Sequence, residues 1–290
     1  MLHISVYHSP ATIDEAVRLL AEEGRTIIAG GTDLLVNPRY TVGVREVVDI
    51  RKLALDYIIV EQGWLRIGAG ATMRSVARHP AVQALAGGIL ARSAAVCGSP
   101  NIRNMATLVG NCASALPSAD TPPSLIALNA EAVLIGIGGE RHVPLDQFFT
   151  GPAKSVRERE LIRELRIPLG GSDVHGGFYK IGRTAEDISL VNAATTLTIQ
   201  DGIITEARLV LGAVAPTPLR ITRAEAALRG QQATEALWQQ IAEIVRAEVR
   251  PISDQRASAD YRRHVSGVAA ARALRQAAGM TPHGEEWRHA

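Results

Sequence analysis

Residues 26–36 read TIIAGGTDLLV: an apolar run, two glycines, Thr and Asp, then apolar residues again. The run TIIA at 26–29 predicts a short buried strand. The glycine pair lets the backbone turn sharply or approach a ligand closely. Successive N–H groups in such a turn form an anion-binding nest, and Thr32 and Asp33 add a hydroxyl and a helix-start signal. The stretch matches neither GxGxxG nor GxxxxGK[ST]. Taken alone it reads more readily as a strand-to-helix turn than as a phosphate cradle. Both readings stay open at this point.

Upstream, residues 10–24 predict a helix. Thr12 and Glu15 have capping-box spacing, Ala16, Leu19 and Leu20 supply an apolar stripe, and Gly24 suits a C-cap. Downstream, strands are expected at 46–50 and 64–68 and short apolar helices across 81–96. Residues 97–118, CGSPNIRNMATLVGNCASALPS, show neither period 2 nor period 3.6 and predict an irregular binding loop. Within 107–120 that loop offers Thr107, Gly110, Asn111, Ser114 and Asp120. Such groups suit a phosphate, ribose or heterocycle edge, or cap their own turns. A helix at 123–130 and strands at 132–137 and 160–167 follow, and IPLGGSDVHGG (167–177) marks a boundary. Beyond it, strands are expected at 178–181, 193–200 and 203–211, the last two joined by the hairpin signal Asp201-Gly202. Helices are expected at 222–229, 234–248 and 257–278.

The 290 residues are 47% hydrophobic and 21% charged, enough for two or three small domains, with only 4% aromatic residues for the core. A formal charge of +2 gives no reason to expect nucleic acid or a membrane surface. The start lacks a signal-peptide pattern and no uncharged apolar run is long enough to span a bilayer, so a cytoplasmic protein without membrane insertion is expected. The eight histidines show no HExxH spacing, no metal site is expected, and GxSxG is absent. Two cysteines, Cys97 and Cys112, cannot ligate an iron–sulfur cluster. Lysine is confined to Lys52, Lys154 and Lys180. The last lies in GGFYKIGRTAEDISLVN (176–192), where Lys180 and Arg183 are either site cations or solvated strand residues, with Asp187 and Ile188 just beyond. The arginine-rich helix at 262–275 is expected to have a solvated face. Its Val265, Val268 and Ala269 stand at helical spacing, so a docking surface is the other option.

Three segments in this order, AGGTDLL, TLVGN…SALPSAD and FYKIGR…DISLVNAA, resemble the FAD-binding medium subunits of the molybdenum hydroxylases, the xanthine dehydrogenase and carbon monoxide dehydrogenase family. RIGAGATMRSVA and YRRHVSGVAAARAL extend the similarity over nearly the whole chain. The resemblance implies an α+β fold: a two-part FAD-binding domain of the PCMH type, followed by a smaller C-terminal domain of antiparallel sheet plus helices. Its parts would be an N-terminal α/β FAD-binding subdomain at 1–55, a second α+β FAD-binding subdomain at 56–170, and a C-terminal sheet-plus-helix domain of the CO dehydrogenase flavoprotein type at 171–290.

Carried over to this sequence, the resemblance places Ile28, Ala29, Gly30, Gly31, Thr32, Asp33 and Leu34 on the FAD pyrophosphate. Thr107, Gly110 and Asn111 form a second diphosphate and ribityl contact. Ser114 and Asp120 are further binding positions, Cys97 is near the flavin pocket, and Ile162 is on the adenine side. Lys180 would lie beside the isoalloxazine ring and Ile188 close to its face. Family members commonly carry two glycines before the Asn. Here Val109 stands at the first, so that contact rests on Gly110 and Asn111.

The function implied is an oxidoreductase subunit that takes electrons from [2Fe–2S] clusters of a small partner and hands them to NAD, a quinone or another acceptor. Substrate chemistry would occur in a large molybdopterin partner, the whole forming a dimer of heterotrimers. Two alternatives stay open: a self-sufficient FAD oxidoreductase of the same superfamily, and a flavin-free assembly or docking subunit.

Overall fold

The sheets follow one another along the chain, and the computed structural model describes residues 4–37, 43–171 and 173–280. The first sheet is parallel, in the order β1-β3-β2, from β1 (Val6–His8), β2 (Arg25–Ile28) and β3 (Glu46–Asp49). Helix α1 (Ile13–Leu20) connects β1 to β2 and buries Ala16, Val17 and Leu20. Its Thr12 hydroxyl accepts the Glu15 N–H at 3.2 Å, and the Glu15 carboxylate accepts the Ala11 N–H at 2.9 Å. The capping signal is thus realised, with the return bond one residue early.

The second sheet has five strands in the order β4-β5-β10-β6-β7: β4 (Ile58–Glu61), β5 (Trp64–Gly68), β6 (Glu131–Gly136), β7 (Gly139–Pro144) and β10 (Leu161–Pro168). A small ribbon of β8 (Phe149–Gly151) and β9 (Lys154–Ser155) precedes β10. Between β5 and β6 lie six short helices: α2 (Met73–Arg78), α3 (Pro80–Ala84), α4 (Ile89–Ala95), α5 (Pro100–Met105), α6 (Leu108–Ala113) and α7 (Pro122–Ala127). One hydrophobic core runs from Ala16 and Leu20 through Leu65, Ile67 and Leu90 to Leu165, so the first two sheets share it.

The third sheet is antiparallel, β11 (Val174–Ile181), β12 (Val191–Gln200), β13 (Ile203–Gly212) and β14 (Leu219–Arg220) in chain order. Asp201 and Gly202 both have positive φ, +51° and +77°, the geometry of the two-residue turn their sequence signals. Helices α8 (Thr222–Leu228), α9 (Glu235–Glu248) and α10 (Ala259–Ala277) cover this sheet and bury Trp238, Ile241, Ala269 and Leu274.

The structure sharpens three expectations. The 97–118 stretch is not irregular: it contains α5 and α6, each 6 residues long, capped by the Ser99 and Thr107 hydroxyls. The boundary expected at 167–177 falls between the second and third sheets, narrowed because β10 runs to Pro168 and β11 already begins at Val174. Gly177 is required there, since a Cβ would fall 1.8 Å from the Ala273 carbonyl of α10. Finally, α10 has the solvated face expected of it, with His264 and Arg272 exposed, and a second face that is core. It buries Val265, Ser266 and Ala269 against its own domain, and Arg262, 2% exposed, donates to the Leu190 carbonyl at 2.7 Å and to Asp254 at 2.9 Å. Val265 and Ala269 are therefore core, which leaves only the half-buried Val268 of that stripe at the surface.

Candidate functional site

Strand β2 ends at Ile28 because the chain must leave the sheet at the glycine pair. Gly30 sits so close to α5 that a Cβ would lie 1.9 Å from the Met105 carbonyl oxygen. Gly31 has φ +70°, the left-handed region that glycine enters freely. The turn closes through the Leu35 N–H on the Gly31 carbonyl at 3.0 Å and the Asn37 N–H on the Asp33 carbonyl at 2.9 Å. The backbone N–H groups of Ala29, Gly30, Gly31, Thr32, Asp33 and Leu34 find no acceptor among the described residues. All six residues line one cleft of about 370 Å³. Unpaired amides at the edge of a cavity are ready donors for an anion.

The opposite wall is built by α5 and α6. Thr72 and Thr107 pair in a two-residue bridge, and each caps its own helix, so the starts of α2 and α6 are tied together. The Thr107 hydroxyl accepts the Gly110 N–H at 2.9 Å. Gly110 leaves room for this cap, because a Cβ there would fall 2.7 Å from the Thr107 oxygen. Val109, 4% exposed, belongs to the core. Further along, Ser114 donates to the Asp33 carboxylate at 2.6 Å and so ties α6 to the glycine turn.

Leu161 and Ile162, at the start of β10, form an apolar end to the cleft, and Ile188, 54% exposed, stands at its mouth. Cys97 lines it as well. Burial, reinforced by the nearby Asp120 carboxylate, pushes this thiol up to about 12, so it is a neutral wall group at physiological pH. Asp120 also faces the cleft, fixed by Ser189 at 2.6 Å and Lys180 at 2.9 Å. Burial pushes its carboxyl upward, while Lys180 and Ser189 favour the ionised form.

The structure therefore brings Ile28–Leu34, Cys97, Thr107, Gly110, Asn111, Ser114, Asp120, Ile162 and Ile188 to one cleft. Lys180 is set back behind it: its ammonium is held by Asp120 and by the Val96 carbonyl at 2.9 Å, and its side chain is 7% exposed.

A family model described as the FAD binding domain in molybdopterin dehydrogenase matches residues 2–170. One described as the CO dehydrogenase flavoprotein C-terminal domain matches residues 177–277. The chain belongs to the FAD-binding medium subunits of the molybdenum hydroxylases. It is 33% identical to a putative xanthine dehydrogenase FAD-binding subunit of Escherichia coli, over 91% of this chain and 93% of that one. It is 30% identical to the carbon monoxide dehydrogenase medium chain of Hydrogenophaga pseudoflava, over 93% and 96%. Among solved structures, carbon monoxide dehydrogenase from Hydrogenophaga pseudoflava superposes with a TM-score of 0.91 at 32% identity, covering 97% of this chain and 99% of that one. Quinoline 2-oxidoreductase from Pseudomonas putida gives 0.90 at 29% identity, covering 97% and 100%.

For a flavin subunit, the cleft has further lining that sequence reasoning missed: Ile102 on α5, Leu116, Ser118 and Arg157. Ile102 sits at the i+3 position from the Ser99 cap, a signal that would have placed it on a helix. Arg157 follows β9, and no motif marks it. No helix of the described residues is long and apolar enough to cross a membrane.

Proposed function

We propose that this flavin subunit is the electron-transferring member of a three-part molybdenum hydroxylase, assembled as a dimer of heterotrimers in the cytoplasm. Electrons would arrive from [2Fe–2S] clusters of a small partner and leave to NAD, a quinone or another acceptor, with substrate handled by a large molybdopterin partner. The observation that carries the reading is the row of six N–H groups at 29–34 without an acceptor among the described residues, on residues that line a cleft also bounded by Leu161 and Ile162. Its chemistry fits a dinucleotide: an anion at the centre and planar heterocycles beyond it.

FAD supplies one- and two-electron redox chemistry when bound. The chain's own residues would then bind and orient. Amides of Ala29–Leu34 would hold the diphosphate, and Ser114 would keep the Asp33 carboxylate turned to itself. Asn111 and Gly110 would meet the second phosphate or the ribityl chain. Leu161 and Ile162 would bed the adenine, and Ile188 would close the outer side of the isoalloxazine ring. Asp120 would offer an acceptor toward the same ring, with Lys180 neutralising it from behind.

Expression of the full chain tests this. A yellow protein that releases FAD on denaturation, and that co-purifies with an iron–sulfur chain and a large molybdenum chain when all are expressed, is the expected result. A colourless protein that takes up no added FAD would overturn it. A yellow protein that turns over substrate without partners would instead mark a self-sufficient enzyme.

A further inference from the structure

Helix α7 begins Pro122-Pro123, and its N-cap Thr121 makes no side-chain bond to its own helix. Prolines at the first two positions carry no N–H, so two of the orphan donors that a cap usually serves do not exist. The Thr121 hydroxyl points elsewhere: it donates to Asn111 Oδ1 at 2.7 Å. The Thr121 backbone N–H reaches the same oxygen at 3.4 Å. A backbone N–H can only donate, so it fixes which end of the Asn111 amide is oxygen. Thr121 is fully buried and does not line the cleft, whereas Asn111 does. Among the described residues the Asn111 NH₂ group has no partner.

We infer that Thr121 is a positioning residue that holds the Asn111 amide with its oxygen inward and its two N–H donors toward the cleft. The point where Asn111 meets a ligand is thereby committed to acceptor atoms, such as phosphate or ribityl oxygens, and closed to donors. The inference rests on the FAD reading of the cleft. Without the Thr121 hydroxyl only the 3.4 Å bond from its backbone N–H holds the amide, so its orientation loosens and its oxygen can turn toward the oxygens of the ligand.

Flavin fluorescence quenching on the full-length subunit, stripped of flavin and titrated with FAD, measures the effect. Thr121→Val should weaken FAD about ten-fold, the loss expected of one organised hydrogen bond, and Thr121→Ser should bind within about two-fold of wild type. Asn111→Ala should weaken FAD about ten-fold too, and the double variant Thr121→Val/Asn111→Ala no further, because the two act as one unit. Asn111→Asp keeps the bonds from Thr121 but replaces the donor with an acceptor. It should bind FAD more weakly than Asn111→Ala while melting at the wild-type temperature, which keeps the test open if Thr121→Val does not fold. An Asn111→Ala variant with wild-type affinity would overturn the ligand role of Asn111 and this inference with it. Weak binding by Asn111→Ala beside full binding by Thr121→Val, strict additivity in the double variant, or wild-type affinity in Asn111→Asp would overturn the inference and leave the FAD reading standing.

Discussion

Lys180 Nζ lies 2.9 Å from Asp120 Oδ2, with both side chains 7% exposed, and this pair joins β11 of the C-terminal domain to the wall of the cleft. Removing one partner of a buried pair leaves the other charge uncompensated, which costs about 3–5 kcal/mol. Lys180→Met should therefore destabilise the subunit by about 3 kcal/mol at pH 7 in urea unfolding. The deficit should shrink on acidification. Burial already raises the Asp120 carboxyl above its usual value, so the folded state takes up a proton before the unfolded chain does, and stability lost through ionisation returns as pH falls. A deficit independent of pH would contradict the pairing.

Gly30→Ala should be far more damaging than its chemistry suggests. Its Cβ would sit 1.9 Å from the Met105 carbonyl oxygen, and backbone cannot step aside as a flexible side chain can. Displacing the turn from α5 moves all six amides at once. Loss of FAD affinity by at least about ten-fold is expected, with a stability cost of about 1–3 kcal/mol from overpacking. Gly138→Ala, where a Cβ meets nothing within 4 Å, should leave flavin binding unchanged. Equilibrium dialysis with FAD on both variants decides.

Both thiols should be silent to alkylation in the native protein. Burial pushes Cys97 and Cys112 up to about 12, so the thiolate that reacts is scarce at pH 8. Ellman's reagent should detect neither in buffer and both in guanidinium. The same shifts fix a sign: the fold keeps its protons where the unfolded thiols lose theirs, so their contribution is intact below about pH 9 and is lost as pH rises toward 12. Rapid native labelling of Cys97 at pH 8 would refute its place in the wall.

Thr107→Ala should cost about 1 kcal/mol by removing the cap of α6, and Thr107→Ser should cost almost nothing. Because the hydroxyl is used on the Gly110 N–H at 2.9 Å, the alanine variant should also weaken FAD through Gly110 and not through a lost ligand contact. A Thr107→Ser variant that melts like the alanine variant would show that the methyl group, and not the cap, is what matters.

The parts legible in the sequence were those with local signals. The helix after Thr12, the Asp201-Gly202 hairpin and strand β5 each announce themselves within a few residues. Helices α5 and α6 did not, because six residues are too few to show a 3.6 period, and their caps, Ser99 and Thr107, sit among other turn-forming residues. Strands β1 and β4 escaped for the opposite reason: they are short and largely exposed, so their apolar residues form no buried pattern. At the site, the glycine turn was visible but its anion-binding character depends on which amides stay unpaired, a property of the whole fold. The Lys180 partner was beyond reach, since Asp120 stands sixty residues away. Nothing in either neighbourhood marks the pair.

The cleft is completed late along the chain. Its floor and two walls come from residues 26–120, its apolar end from Leu161 and Ile162, and its last side from residues 186–188. During synthesis, a ribosome that has delivered the glycine turn still has some 150 residues to make before the outer wall exists. Cofactor capture thus belongs to the end of translation, when β11 has docked and Lys180 has reached Asp120. A truncated chain ending before β11 would keep its row of amides, Asn111 and the Leu161–Ile162 end but lack the side that residues 186–188 supply.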